Sequence, residues 1–257
     1  MDGALLGLFM VAACSFATLL EHPGSPIHRM LPDASLRRLV MGMAMGFTAI
    51  GLIRSPWGRQ SGAHMNPSLT LTYWWLGKIE GRDALGYVCG QFGGGVIGVV
   101  LAGALLGAPV AHAAVRFAPT VPGPSGAVAA FVAECAISFV LMAVVLVTSN
   151  SGRWSRYTPL FCGTLIAAYI TFEAPISGMS MNPARSFASA LAAREWTSLW
   201  IYFTAPPLGM LAAAEAYVRR RGLHRVLCAK LDHQSARRCI FRCGFAKPGA
   251  HPAHQTA

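Results

Sequence analysis

The stretch Ser61-Gly-Ala-His-Met-Asn-Pro-Ser68 is written a second time, 116 positions later, as Ser177-Gly-Met-Ser-Met-Asn-Pro-Ala184. Both read S-G-x-x-M-N-P-small, and both sit between apolar runs. Pro at a first helical position, with Asn before it as N-cap, is a helix-start signature. The apolar stretches Thr70–Leu76 and Phe187–Leu191 continue each phrase as a short helix, too short to cross a bilayer. Non-helical backbone survives at membrane depth only where it is buried in protein or lines water. The two phrases are therefore expected to dip in from opposite faces and meet near the middle, helix start to helix start.

Working outward, the chain of 257 residues is 54% hydrophobic and only 12% charged, with a mean hydropathy of +0.48. Soluble domains average about 25% charged residues, so the composition argues for a membrane protein. Six runs approach the roughly 20 apolar residues that a spanning helix needs. They are Gly3–Leu20, Leu36–Ile53, Ala84–Leu106, Ala127–Val147, Tyr157–Phe172 and Ser198–Val218. Small residues such as Gly93, Gly94, Gly95, Gly98 and Gly209 are expected to let these helices approach closely, which association in lipid requires.

The spans repeat as well. Asp2 precedes Met10 by eight residues in the first, as Glu134 precedes Met142 in the fourth, each with a Phe in the same region. Each half then carries one Asn-Pro phrase between its second and third spans. Three spans is an odd number, so the halves must enter the membrane from opposite sides. The fold class expected is an all-α membrane protein: six transmembrane helices plus two re-entrant half-helices in an inverted three-helix repeat. Its channel domain is residues 1–218, with repeats at about 2–107 and 127–218. Two helix starts facing one pore, each with about half a positive charge, repel cations, and Asn66 and Asn182 offer amide donors to a passing solute.

Charge sets the orientation. The net charge is +11, and nine of the 21 Lys/Arg follow residue 218. Basic segments beside spans stay cytoplasmic, so both termini are expected inside, with fifteen Lys/Arg inside and six outside, in a plasma (inner) membrane. The basic tail, 219–257, reads as a solvated segment near anionic lipid, disordered after Gly244; no motif supports nucleic-acid binding. The box Val11-Ala-Ala-Cys14 lacks the positive start of a signal peptide. The first span begins so abruptly that a few N-terminal residues are expected to be missing.

Paired Asn-Pro-Ala motifs in inverted three-span repeats resemble the aquaporin (major intrinsic protein) family from residue 2 to about 218. Asn182-Pro183-Ala184-Arg185 matches the second motif fully; Asn66-Pro67-Ser68 departs by Ala to Ser, and Asp2 stands where the family usually has Glu, while Glu134 matches. The resemblance implies a homotetramer with one pore per subunit, no cofactor for transport, and water or a small neutral solute as the permeant. It implies Asn66 and Asn182 as central donors and Arg185 as a positive constriction, with Met179 beside it. The two other constriction positions fall near Ile170 and near Met45, with Phe47 as the alternative. Such a constriction is mostly apolar around one Arg. Residues 175–186 also resemble the plant nodulin-like branch. Ser186 stands where glycerol channels typically have Asp, and Tyr202-Phe203 where they tend to have Pro-Leu, so glycerol is disfavoured. Water ranks first; ammonia, hydrogen peroxide or metalloid acids rank second. Asp2 and Glu134 are implied to brace the re-entrant backbone, His64 to border the cytoplasmic mouth, and Glu173 to be a solvated charge at the outer mouth.

The tail lies outside this resemblance. Cys228, His233, Cys239 and Cys243 supply three thiols and an imidazole within sixteen residues, enough for a tetrahedral zinc site. Their spacing, with four, five and three intervening residues, is not that of a standard finger, and reduced free thiols are the other reading. Cys14, Cys89, Cys135 and Cys162 read as packing residues. An enzyme is excluded by the scatter of His22, His28, His64 and His112 and by the lack of an H-E-x-x-H pair. A coupled transporter would need intramembrane carboxylates facing a substrate route, and only Asp2 and Glu134 qualify. A tethered regulatory protein acting through the tail, supported by its Cys/His cluster, is the remaining rival; removing the residues after Arg221 discriminates, since a channel should still conduct.

Overall fold

In the computed structural model, which describes residues 1–234 and 239–245, the apolar runs form six long helices. They are α1 (Asp2–Glu21), α2 (Ala34–Arg54), α4 (Gly81–Leu106), α5 (Gly126–Ser149), α6 (Thr158–Phe172) and α8 (Leu199–Arg221). Between them lie two short ones, α3 (Pro67–Trp75) and α7 (Pro183–Ala193). No strand occurs among the described residues. By length and composition α1, α2, α4 and α5 are able to cross a bilayer. The other two differ from that simple picture for identifiable reasons. α6 has 15 residues, about 22 Å at 1.5 Å per residue, and is prolonged by a 3₁₀ turn at Ser155–Tyr157 and a short helix at Ala174–Ser177. α8 holds Pro206 and Pro207 in its interior and three arginines in its last turn.

The helices pair in a way that exchanging the halves leaves unchanged. α1 packs on α4 as α5 packs on α8, and α2 packs on α6, its own counterpart. Each half-helix also leans on the last span of the other half: α3 on α8, and α7 on α4. Glycine sets the closeness. A Cβ added at Gly94 would lie 2.0 Å from the Gly3 carbonyl oxygen, and one at Gly98 2.3 Å from that of Gly7. In the second half a Cβ at Gly209 would lie 2.3 Å from the Cys135 carbonyl oxygen. Gly93, read from sequence as part of this contact, instead has open space around it.

Leu8, Phe47, Leu101, Leu105, Val128 and Val132 point outward and are exposed, which suits lipid rather than water. Within, Asp2, Gln91, Glu134, Asn66 and Asn182 are buried. These buried polar groups share the interior with an apolar core, and the outer face is apolar as well, unlike that of a soluble bundle. The tail also departs from its expectation. Residues 219–221 complete α8, and Val226, Cys228, Ala229, Lys230, Leu231 and Asp232 are buried against the bundle rather than solvated. The disorder expected after Gly244 falls, from residue 246, outside the described residues.

Candidate pore

Each Asn-Pro phrase is held by the carboxylate from its own half. Asp2 Oδ1 accepts from the Ser61 hydroxyl (3.1 Å) and the His64 amide (3.0 Å), and Oδ2 from the Met65 amide (2.8 Å). Glu134 Oε1 accepts from the Ser177 hydroxyl (2.8 Å) and the Ser180 amide (2.6 Å), and Oε2 from the Met181 amide (2.7 Å). The donors correspond one to one across the repeat. So does the backbone that presents them. Gly62, Ala63 and Met65 have φ of 91°, 55° and 48°; Gly178, Met179 and Met181 have 82°, 51° and 56°. Left-handed conformations are unfavourable for residues with a Cβ and persist where surrounding contacts over-determine them. Here the buried carboxylates do so.

The asparagines then tie the halves together. The Asn66 side-chain oxygen accepts from the Ser68 amide (2.9 Å), capping α3, while its Nδ2 donates to the Met181 carbonyl (2.6 Å). The Asn182 oxygen accepts from the Ala184 and Arg185 amides (3.1 and 3.2 Å), capping α7, while its Nδ2 donates to the Met65 carbonyl (2.6 Å). An amide carries two N–H groups, so one on each asparagine is left for the space that both residues line.

That space is a cavity of about 290 Å³. Asn66, Asn182, Met45, Ile170, Met179 and Arg185 all line it. Phe47, the alternative to Met45, is 66% exposed and faces away. Arg185 donates to the Thr120 hydroxyl, which is hydrogen-bonded to Ser186 (2.9 Å), itself bonded to Ser180 (2.6 Å). Glu21 and Arg38 also line the cavity. Glu173 is buried rather than solvated. It follows directly on α6 as the residue that precedes the Ala174–Ser177 turn. Cys162 lines the cavity, Cys14 is buried in the core, Cys135 is half-buried, and Cys89, read as a packing residue, is exposed on the outer face.

At the mouth on the opposite side from Arg185, His64 is buried and not open to solvent. Its Nε2 donates to the Ala229 carbonyl (2.7 Å) and its Nδ1 meets the Thr70 hydroxyl (3.0 Å). The tail is therefore part of this mouth. Leu231 lines the cavity, and its amide donates to the Gly62 carbonyl (3.2 Å). Asp232 pairs with Arg59 at 3.0 Å. The ligating atoms of Cys228, His233, Cys239 and Cys243 all lie within 4.8 Å of one another. A hydrogen bond from the Cys228 thiol, helped by His233 and Lys230, holds Cys239 far below the ordinary thiol range.

Sequence reading overlooked three parts of this site. Gln91 donates to Asp2 (2.7 Å) and Thr70 (3.0 Å); its signal is a lone amide in an otherwise apolar span. Tyr87 donates to the Ser61 carbonyl (2.6 Å) and Tyr202 to the Ser177 carbonyl. These tyrosines stand 115 positions apart, one short of the 116 between the phrases, so their correspondence shows in the shared acceptor rather than in the spacing. Thr120, from the connection between the halves, has no local pattern to reveal it.

Residues 4–217 match the major intrinsic protein family. Aquaporin NIP1-1 of Zea mays is 35% identical over 161 residues, covering 62% of this chain and 55% of the relative. The chain thus spans about half the length of the plant relatives it matches. Glycerol uptake facilitator protein-like 6 of Lactiplantibacillus plantarum is 30% identical over 217 residues, covering 81% of this chain and 92% of the relative. The X-ray structure of the aquaglyceroporin from Plasmodium falciparum superposes with a TM-score of 0.65 at 20% identity, covering 84% of this chain and 93% of that one. At that identity it establishes the shared fold.

Proposed function

This chain belongs to the major intrinsic protein family, and we propose that it forms a passive transmembrane channel conducting water and excluding ions and protons. The observation that carries this reading is the meeting of Asn66 and Asn182 at one cavity, between two helix starts. A solute there exchanges hydrogen bonds with one free N–H from each half. The helix starts, each with about half a positive charge, and the Arg185 guanidinium raise an electrostatic barrier to cations and hydronium. Asn66, Pro67, Ser68, Asn182, Pro183 and Ala184 form the centre of the pore; Arg185, Met179, Ile170 and Met45 form its constriction. Asp2 and Glu134 hold the shape. The chain acts as a homotetramer in the plasma (inner) membrane, both termini cytoplasmic, with no cofactor for transport.

A second reading, small uncharged solutes such as ammonia, hydrogen peroxide or metalloid acids, is favoured by one feature. Met45, Ile170 and Met179 surround Arg185 with apolar side chains, leaving little to replace the hydrogen bonds of bulk water. The names of the relatives, one an aquaporin and one a glycerol uptake facilitator-like protein, support a channel without choosing between permeants. Stopped-flow light scattering of proteoliposomes decides. Water efflux with a low activation energy, cut about tenfold or more by Met179→Trp, is the expected result. No water flux, with fast swelling in a small neutral solute, hands the function to the second reading.

A further inference from the structure

The tail holds a set of donors that transport does not need. We propose that Cys228, His233, Cys239 and Cys243 bind a zinc ion, and that this ion locks the tail as a plug over the mouth beside His64. The first half stands on the cluster alone; the second rests on the channel reading above.

The donor set and its dimensions fit the metal. Zinc–sulfur bonds of about 2.3 Å and zinc–nitrogen bonds of about 2.0–2.1 Å, arranged tetrahedrally, place ligand atoms roughly 3.5–3.8 Å apart. Here Sγ of Cys228 and Cys239 are 3.5 Å apart, Nε2 of His233 and Sγ of Cys243 are 3.1 Å apart, and all four atoms lie within 4.8 Å. Small inward or outward shifts of side chains close a tetrahedron on one ion. Lys230, 2% exposed, lies two residues from Cys228 in the same buried segment. The segment around the ligands is irregular among the described residues, with only a 3₁₀ turn at Leu223–Arg225 leading into it. Chain without secondary structure of its own is what a structural metal organises. A Cys228–Cys239 disulfide is the rival use of the same atoms. It leaves His233 and Cys243 converging for no reason.

The ligands alternate with the residues that touch the mouth. Cys228 precedes Ala229, whose carbonyl accepts from His64. Leu231 and Asp232, which line the cavity and pair with Arg59, lie between Cys228 and His233. Phe241, between Cys239 and Cys243, stacks on His64 with centroids 5.6 Å apart and planes 9° apart. A Cβ on Gly62 would come within 2.8 Å of the Phe241 ring. Two chelate loops thus press on one histidine, and closing them on an ion fixes both contacts together.

The test uses the full chain, purified in detergent under reducing conditions and stripped with a chelator. Cobalt(II) titration is expected to give one equivalent bound, with the intense thiolate-to-cobalt charge-transfer band and the d–d bands of a tetrahedral site, bleached by zinc. The double variant Cys239→Ser/Cys243→Ser, monodisperse by size exclusion, is expected to lose both. Absence of a tetrahedral thiolate spectrum in the wild type, or a Cys228–Cys239 disulfide that persists under reductant, overturns the metal site. Proteoliposome flux then tests the plug. Chelation is expected to speed flux about fivefold or more, zinc to restore the slow state, and the double variant to be fast and indifferent to zinc. Cobalt binding with wild-type flux unmoved by metal overturns the plug and leaves the site. Cobalt binding with no flux of any solute in either protein overturns the channel reading instead.

Discussion

The two re-entrant loops of this chain are built to one plan and finished differently. Positions 61, 62, 63, 65 and 66 of the first and 177, 178, 179, 181 and 182 of the second agree in hydrogen-bond partner or in backbone conformation. They part at the fourth position of the phrase. Ser180 turns back on its own loop, bonding the Asn182 carbonyl (2.9 Å) and Ser186. His64 reaches out of its loop to the tail. What the two halves share is what the pore's shape demands, and where they differ is where the rest of the chain has gained a hold on one mouth.

The bracing carboxylates test the shared part most severely. Asp2 serves four donors, Gln91 included, while Glu134 serves three. In Asp2→Asn the new amide group faces at least one buried N–H, that of His64 or of Met65; in Glu134→Gln it faces that of Ser180 or of Met181. Each buried donor left unpaired costs about 1–3 kcal/mol. Thermal unfolding in detergent is expected to show both variants strongly destabilised, and by comparable amounts. A loss at only one of the two would mean that the halves do not share the brace.

Next in size come the paired helix contacts. Gly94→Ala and Gly209→Ala each thrust a methyl into a carbonyl of the neighbouring helix, and overpacking of this kind costs about 1–3 kcal/mol. Gly93→Ala, one residue away with open space, is expected to leave the unfolding temperature unchanged. Sensitivity at Gly93 equal to that at Gly94 would break the pairing of α1 with α4.

The differing position gives a functional contrast. His64→Ser writes the second loop's residue into the first and removes the bond to Ala229. Water flux through zinc-loaded protein is expected to rise about fivefold, measured by light scattering. Unchanged flux would separate the tail from the mouth.

The smallest effect lies in the surface ion pairs that close each half-helix connection. Glu80 pairs with Arg242 of the tail, and Glu195, 115 positions on, with Arg116. Hydrogen bonds from Thr197 and Arg116 hold the Glu195 carboxyl down to about 2. A carboxyl depressed by folding contributes stability above its ordinary pKa of about 4.3, and that contribution fades as pH falls toward 2. Glu195→Gln is therefore expected to lower stability by under about 1 kcal/mol at pH 7 and by less at pH 3. A larger loss at low pH would reverse the sign and refute the assignment.

Much of this was legible because a repeat prints its constraints twice. The Asn-Pro phrases, Asp2 with Glu134, and the half-helix starts at Pro67 and Pro183 all follow from local caps and spacing. Met45 over Phe47 did not, since both are apolar and only the helix's rotation against α6 decides which faces in. Glu173 reads as a solvated charge because nothing local announces the packing that covers it. The tail's burial rests on partners as distant in sequence as Asn150, whose side chain accepts from the Leu227 amide (2.6 Å), and Arg59; composition alone shows a basic, soluble segment.

The crossed bonds from Asn66 to the Met181 carbonyl and from Asn182 to the Met65 carbonyl have a consequence for biosynthesis. A ribosome delivers the first loop more than a hundred residues before the carbonyl that completes it. Until α5 to α8 arrive, that loop has an amide and a carbonyl with no mate at membrane depth, where each bare group is costly. The first loop is therefore expected to settle fully only when the second half docks. A product truncated before α5 is expected to keep that loop's amide and carbonyl without these partners.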